Sequence, residues 1–276
     1  MTPLRALIIV PSVIVGVGAV LVALLWFGQR SLVFQPDTSQ VDSAEQVSDG
    51  GRDLTLDTED GLELGAWLLP PDDDADRETA VLYAPGNAAN RHNRVGIAEE
   101  MTARGFTVLL MDYRGYGGNP GSPTEEGLAH DAAAAAEALE EEGFAPERTL
   151  YFGESIGSGV VARLQSTHPP AGMLMRSPFP DFVEVAREHY GFLPVGTLLR
   201  DRFPVTEHVE DSSVPVSVLH GDADRVVPSE LSAEVAEDTG ELYEEILLEG
   251  VDHNDPEMFG APVAEALEDL ADHAVE

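Results

Sequence analysis

The sequence predicts an α/β fold: one mostly parallel, eight-stranded sheet with helices on both faces and a small cap, preceded by one N-terminal transmembrane helix. Three observations predict it. Short β-rich apolar runs alternate with helical stretches, residues 6–27 carry no charge, and a mid-chain strand runs through Gly153-Glu-Ser155-Ile-Gly157 into a helix. Alternation of this kind makes βαβ units, which bury a parallel sheet between two helical layers.

The N-terminal run is 22 residues long and lies between Arg5 and Arg30. As a helix it measures roughly 33 Å, enough for a hydrocarbon core of about 30 Å. Trp26 and Phe27 fall where interfacial aromatics are expected. A cleaved signal peptide is the rival reading, but its apolar region is usually about 7–15 residues and ends at a small-residue site. Residues 1–30 are therefore read as an uncleaved anchor. Arg5 favours a globular part outside the cytoplasm and Arg30 counts against it. Residues 31–50 are polar, contain Pro36, Gly50 and Gly51, and read as a tether. Residues 51–276 read as one globular domain.

Strands are expected at 54–58, 62–69, 80–83, 107–111, 149–152, 172–175, 216–219 and 245–248. Helices are expected at 90–103, 124–142, 156–166, 229–237 and 256–271. The clearest is 124–142, where Thr124 can cap, Glu125 and Glu126 complement the first turn, and an alanine run favours helix. The acidic stretch Asp72–Asp74 with Asp76 reads as a solvated turn, with calcium binding a minor alternative. Residues 177–214 leave room for only a small cap.

Composition narrows the chemistry. There are 51 acidic and 15 basic side chains, a net charge of −36, and every basic residue is arginine. Without lysine there is no Walker-type phosphate site, no Schiff base and no Ser-x-x-Lys acyl transfer. Without cysteine there are no disulfides, thiol nucleophiles or thiolate metal sites. Nucleic acid is an unfavourable partner for such an anion. The charge also predicts a high-salt setting, an acidic composition of halophilic type, because the screening length falls to about 3 Å at 1 M salt.

The Gly-x-Ser-x-Gly segment nominates Ser155 as nucleophile, with Gly153 and Gly157 permitting a sharp strand-to-helix turn. A glycine-rich turn without chemistry is the plain alternative, and Ser158 is a local decoy. A serine needs a base, and the base needs an orienting carboxylate. The later loops supply candidates in the order Ser, Asp, His: Asp224 after the strand ending His220-Gly, and His253 after the last strand. His220 competes as base and Asp222 as acid. Asp252, His253 and Asp255 are a weak metal alternative. Two backbone N–H groups are expected to receive the oxyanion, from Ile156 and from Asn87 in the Pro85-Gly86-Asn87 loop, where Gly86 allows close approach.

Taken together, Pro85-Gly-Asn-Ala-Ala-Asn90, Asp112-Tyr-Arg-Gly-Tyr-Gly117, Gly153-Glu-Ser-Ile-Gly157, Ser177-Pro-Phe179 and His220-Gly-x-x-Asp224-x-x-Val-Pro228 resemble the α/β-hydrolase superfamily. Within it the chain looks like the membrane-anchored branch with the BEM46-type and ABHD13- or ABHD17-like serine hydrolases. The branch has His-Gly-Asn-Ala-Gly-Asn in the first loop, where this chain has Pro85 and Ala89. The resemblance implies a serine hydrolase of the carboxylesterase or lipase kind, needing no cofactor or metal and acting on a small-molecule or lipid acyl ester or thioester through an acyl-enzyme. It also implies that the Asp112–Gly117 stretch supports the site structurally. A peptidase or protein deacylase on the same triad is the alternative within enzymes, and a non-catalytic membrane-bound scaffold the alternative outside them.

Overall fold

The computed structural model describes residues 3–71 and 76–275, and all eight expected strands pair in one sheet. They are β1 (Arg52–Asp57), β2 (Glu63–Leu69), β3 (Thr79–Ala84), β4 (Phe106–Met111), β5 (Thr149–Glu154), β6 (Gly172–Arg176), β7 (Val216–Gly221) and β8 (Leu242–Leu248). The spatial order is β8-β7-β6-β5-β3-β4-β2-β1. β2 runs antiparallel to both β1 and β4, and every other neighbouring pair is parallel.

Strands β3 through β7 are buried along their whole length, which is why they read as continuous apolar runs. Their side chains still alternate between two cores. On β3, Ala80, Leu82 and Ala84 enter one core while Val81 and Tyr83 enter the other. The main helices are α1 (Pro3–Val33), α2 (Val95–Thr102), α3 (Glu125–Glu141), α4 (Ile156–Leu164), α5 (Phe182–Tyr190), α6 (Ser229–Asp238) and α7 (Ala261–Ala274). The first core is closed by α3, α4 and α6 through Leu128, Val161 and Val235, and the second by α2 and α7 through Ile97 and Leu267. Thr124 caps α3 as expected, its hydroxyl accepting from the Gly127 N–H at 2.9 Å. The helix expected at 90–103 starts instead as a 3₁₀ turn, Arg91–Arg94, capped by Asn90, and only then becomes α2.

Residues 31–50, expected to act as a tether, are laid onto the body. Phe34 and Ala44 are buried, Gln35–Pro36 bridges Ala88–Ala89, and Ala44–Val47 forms a helical turn. The reason is a scatter of apolar residues among polar ones: Phe34 meets the Phe203 ring edge-on at 6.2 Å, and Val41 and Val47 pack on the second core. α1 carries a stretch, Gly16–Val33, long and apolar enough to cross a membrane by length and composition. Its last turns are clamped to the cap. The Gln29 side chain donates to the Leu198 carbonyl at 3.0 Å and accepts from the Arg200 N–H at 2.9 Å, and Arg30 pairs with Asp201 at 2.8 Å. The cap itself holds α5 and two single-turn helices, Val195–Leu198 and Thr206–Val209. The acidic residues Asp72–Asp74 lie outside the described residues.

The strand order fixes where chemistry can occur. β3 lies between β4 and β5, so the loops leaving β3, β5, β6, β7 and β8 emerge side by side at one carboxyl edge. In open α/β sheets that edge is where sites form.

Candidate active site

Ser155 stands between β5 and α4 with φ +54° and ψ −114°, a left-handed conformation that non-glycine residues rarely adopt. The turn is held from both sides. Its N–H donates to the Arg176 carbonyl at 2.8 Å, and its own carbonyl accepts from the Ser158 N–H at 2.9 Å. Close backbone approach makes the glycines necessary. A Cβ on Gly157 would stand 2.1 Å from the Ala84 carbonyl oxygen, and one on Gly153 would stand 2.7 Å from the Gly157 oxygen. The first turn of α4 therefore rests directly on the end of β3.

The two segments that meet there, Pro85–Asn87 and the start of α4, are the ones expected to supply the oxyanion donors. The Ile156 N–H is at the first helical position, where no intrahelical acceptor exists. Asn87 follows two residues after Ala84-Pro85. Its carbonyl accepts from the Tyr116 hydroxyl at 2.8 Å and the Gln35 N–H at 2.9 Å, and its side chain donates to the Val33 carbonyl at 2.8 Å. The Tyr113 hydroxyl donates to the Pro85 carbonyl at 2.9 Å. The Asp112–Gly117 stretch thus holds the loop in place through both tyrosines. Ala89, where the branch carries glycine, has φ +69°. A left-handed alanine costs about 1–2 kcal/mol, so Ala89→Gly is expected to raise stability by about 1 kcal/mol, measured by urea unfolding with no change in slope.

Asp224 and His253 are brought into direct contact: the imidazole Nδ1 and the carboxylate Oδ2 are 2.7 Å apart, with both side chains buried. The carboxylate is saturated. Oδ1 accepts from the Val226 and Val227 N–H groups at 2.9 and 2.8 Å, and Oδ2 also accepts from the Ser177 hydroxyl at 3.0 Å. Burial pushes this carboxyl up, but the His253 bond and charge, with the two amides, outweigh burial and leave it below the usual range. An ionised acceptor requires Nδ1 to carry the proton, so Nε2 is left as a base. Ser155 and His253 flank the same residue: the Ser155 N–H bonds the Arg176 carbonyl, and the Arg176 guanidinium donates to the His253 carbonyl at 3.2 Å. Among the described residues no hydrogen bond joins the serine hydroxyl to the imidazole; such bonds often tighten only when substrate is bound.

The competing residues are committed elsewhere. His220 bonds Ser229 and Glu245 through its two ring nitrogens, each at 2.9 Å. Asp222 accepts from the Gly250 N–H at 2.6 Å, and Asp252 pairs with Arg225. The Ser158 hydroxyl donates to the Gly153 carbonyl at 3.1 Å.

The roles of two residues quoted only within motifs were not legible in the sequence. Ser177, with φ +48°, presents its hydroxyl to Asp224. Glu154, beside the nucleophile, is the hub of a buried charge cluster. It accepts from the Tyr83 hydroxyl at 2.6 Å, pairs with Arg94 at 2.9 Å and with Arg176 at 3.1 Å. Arg94 also donates to the Ala88 carbonyl at 2.8 Å, so the cluster ties the Asn87 loop to the elbow. Gly86 packs on this carboxylate, where a Cβ would meet Oε1 at 2.6 Å. Burial raises the Glu154 carboxyl, but Arg94 and Arg176 override it and hold it at about 2. Because the folded value is depressed, the stabilisation is complete above about 4.5, the ordinary value of a glutamate carboxyl, and is lost as pH falls toward about 2. Glu154→Gln leaves two arginines buried without a counter-charge, a loss on the order of 3 kcal/mol at neutral pH. Denaturant melts of both proteins should differ at pH 7 and converge through the acid window; a constant difference would contradict the assignment.

Comparison with known proteins gives the following. A family model described as the alpha/beta hydrolase fold matches residues 79–206. The chain is 40% identical over 260 residues to an uncharacterized protein of Mycobacterium tuberculosis, covering 94% of this chain and 92% of that one. It is 29% identical over 212 residues to the lysophosphatidylserine lipase ABHD12 of Danio rerio, a match spanning 64% of this chain and 55% of the lipase. Among solved structures it is similar to an alpha-beta hydrolase of Vibrio vulnificus, with a TM-score of 0.70 at 18% identity and 91% of each chain covered. An esterase of Pyrococcus furiosus aligns with a TM-score of 0.67 at 18% identity, covering 88% of this chain and 97% of that one.

Proposed function

This chain belongs to the α/β-hydrolase fold family, and from that premise we propose that it is a membrane-anchored serine hydrolase cleaving carboxylic ester bonds. The observation that carries this is the saturated Asp224 carboxylate bonded to the His253 imidazole at 2.7 Å, at the same sheet edge as the strained Ser155 elbow. In the reaction, His253 Nε2 takes the proton from the Ser155 hydroxyl as the oxygen attacks the carbonyl carbon. Asp224 keeps the proton on Nδ1 and stabilises the imidazolium that forms. The N–H groups of Asn87 and Ile156 receive the oxyanion, the alcohol leaves with the proton from His253, and water repeats the sequence on the acyl-enzyme. α1 is the anchor in this reading, and residues 51–276 form the catalytic unit.

The substrate is a lipid acyl ester. The small cap and the similarity to lysophosphatidylserine lipases support that class over peptides. The test is hydrolysis by the detergent-solubilised full chain of a nitrophenyl ester series from acetyl to palmitoyl, of a monoacyl glycerophospholipid, and of a peptide nitroanilide. Ester and lysolipid cleavage without amide cleavage is expected. Amide cleavage exceeding ester cleavage would replace the proposal with a peptidase.

A further inference from the structure

The anchor and the cap meet in a way that extends the proposal above. At the end of α1, Gln29 and Arg30 are fastened to residues 198–201, and the Arg200 guanidinium lies over the Trp26 ring at 5.6 Å. The cap is therefore held against the last turns of α1. A few residues before this clamp, the end of α5 and the turn after it expose two aromatics: Tyr190 is 53% and Phe192 83% solvent-exposed. An apolar side chain exposed singly needs no explanation, but neighbouring ones at the rim of a site mark a contact surface.

Two further features say what covers them. In residues 182–203 the acids Glu184, Glu188 and Asp201 are matched by Arg187, Arg200 and Arg202, so the segment is neutral in a chain whose net charge is −36. It is therefore a part of the surface that a bilayer would not repel. The patch is also joined to the site. His189, next to Tyr190, bonds the Val226 carbonyl through Nε2 at 2.9 Å, Val226 is itself 41% exposed, and its N–H donates to Asp224.

We propose that Tyr190, Phe192 and Val226 form a second membrane contact, seated in the interfacial region of the bilayer that α1 spans, so that the mouth of the site opens on the lipid surface. This rests on the reading of α1 as an anchor. Tyr190, with an apolar ring and a hydroxyl that stays wet, suits the headgroup boundary, and Phe192 and Val226 supply apolar surface to sink just below it. An acyl ester then reaches Ser155 by lateral movement in the leaflet.

The absence of cysteine makes the test clean, because each introduced thiol is the sole labelling site. Phe192→Cys, Leu21→Cys within α1, and Glu141→Cys at the far end of α3 are labelled with a fluorophore in the full chain. Each is reconstituted in phosphatidylcholine–phosphatidylglycerol nanodiscs with or without nitroxide lipids. Severalfold quenching at 192 by a headgroup-level nitroxide, quenching at 21 by a mid-chain nitroxide, and none at 141 are expected. Quenching at 21 without quenching at 192 overturns the second contact and leaves the anchor standing. Quenching at neither overturns both, and equal quenching at 141 and 192 overturns the localisation to the cap.

Discussion

Ser155→Ala is expected to lower kcat on a soluble ester by about 10⁴–10⁶-fold, the loss seen when a serine nucleophile is removed from a cooperating triad. Its side chain carries none of the fold's described hydrogen bonds; the backbone N–H and carbonyl hold the turn. Alanine keeps both, although its methyl sits in the same left-handed backbone, which costs about 1–2 kcal/mol for any side chain with a Cβ. The variant should therefore fold, with a circular dichroism spectrum and melting midpoint close to the parent's, while turnover disappears. Substrate affinity, measured by inhibition with a non-hydrolysable ether analogue, should change little. Retained turnover would remove Ser155 from the chemistry.

Asp224→Asn is expected to lower kcat by about 10⁴-fold. Four donors converge on this carboxylate: the Val226 and Val227 amides, the Ser177 hydroxyl and the His253 ring. An amide accepts on one side and donates on the other, so one of these contacts must become donor against donor. If the new NH₂ faces His253, the imidazole places its proton on Nε2 and can no longer accept one from serine. If it faces the Val226–Val227 amides, a buried donor pair is left unmatched, at about 1–3 kcal/mol. The kinetic and stability readouts separate these outcomes, and full activity with full stability would contradict the role given to Asp224.

The β-rich runs located all eight strands to within a few residues: β3 to β7 because buried parallel strands are nearly uniform in apolarity, and the more exposed β1 and β8 because β-rich runs bounded by turn residues still mark them. The loops bearing Ser155, Asp224 and His253 were legible for the same reason: once strands are placed, their carboxyl ends follow. The Glu154 hub was not. Its partners Tyr83, Arg94 and Arg176 come from separate segments and share no period with it, so only the sheet register, which pairs Glu154 with Arg176, brings them together. Ser177 was quoted only as part of a family motif, since nothing local marks its hydroxyl as a partner of a carboxylate 47 positions away. The segment 31–50 looked free because its few apolar residues are spaced for docking rather than for a helix or strand. α5 and its neighbouring turns went unplaced because short helices packed by one face resemble loops in composition.

The most direct measurement is fluorophosphonate labelling of the full chain followed by peptide mapping. Trypsin has only arginines to cut, so the elbow is released as the single peptide from Thr149 to Arg163, containing Ser155 and Ser158. One adduct per chain, on Ser155, is expected, and Ser155→Ala should abolish it. An adduct on Ser158, on Ser229 beside His220, or on no serine at all would contradict a nucleophile at the elbow.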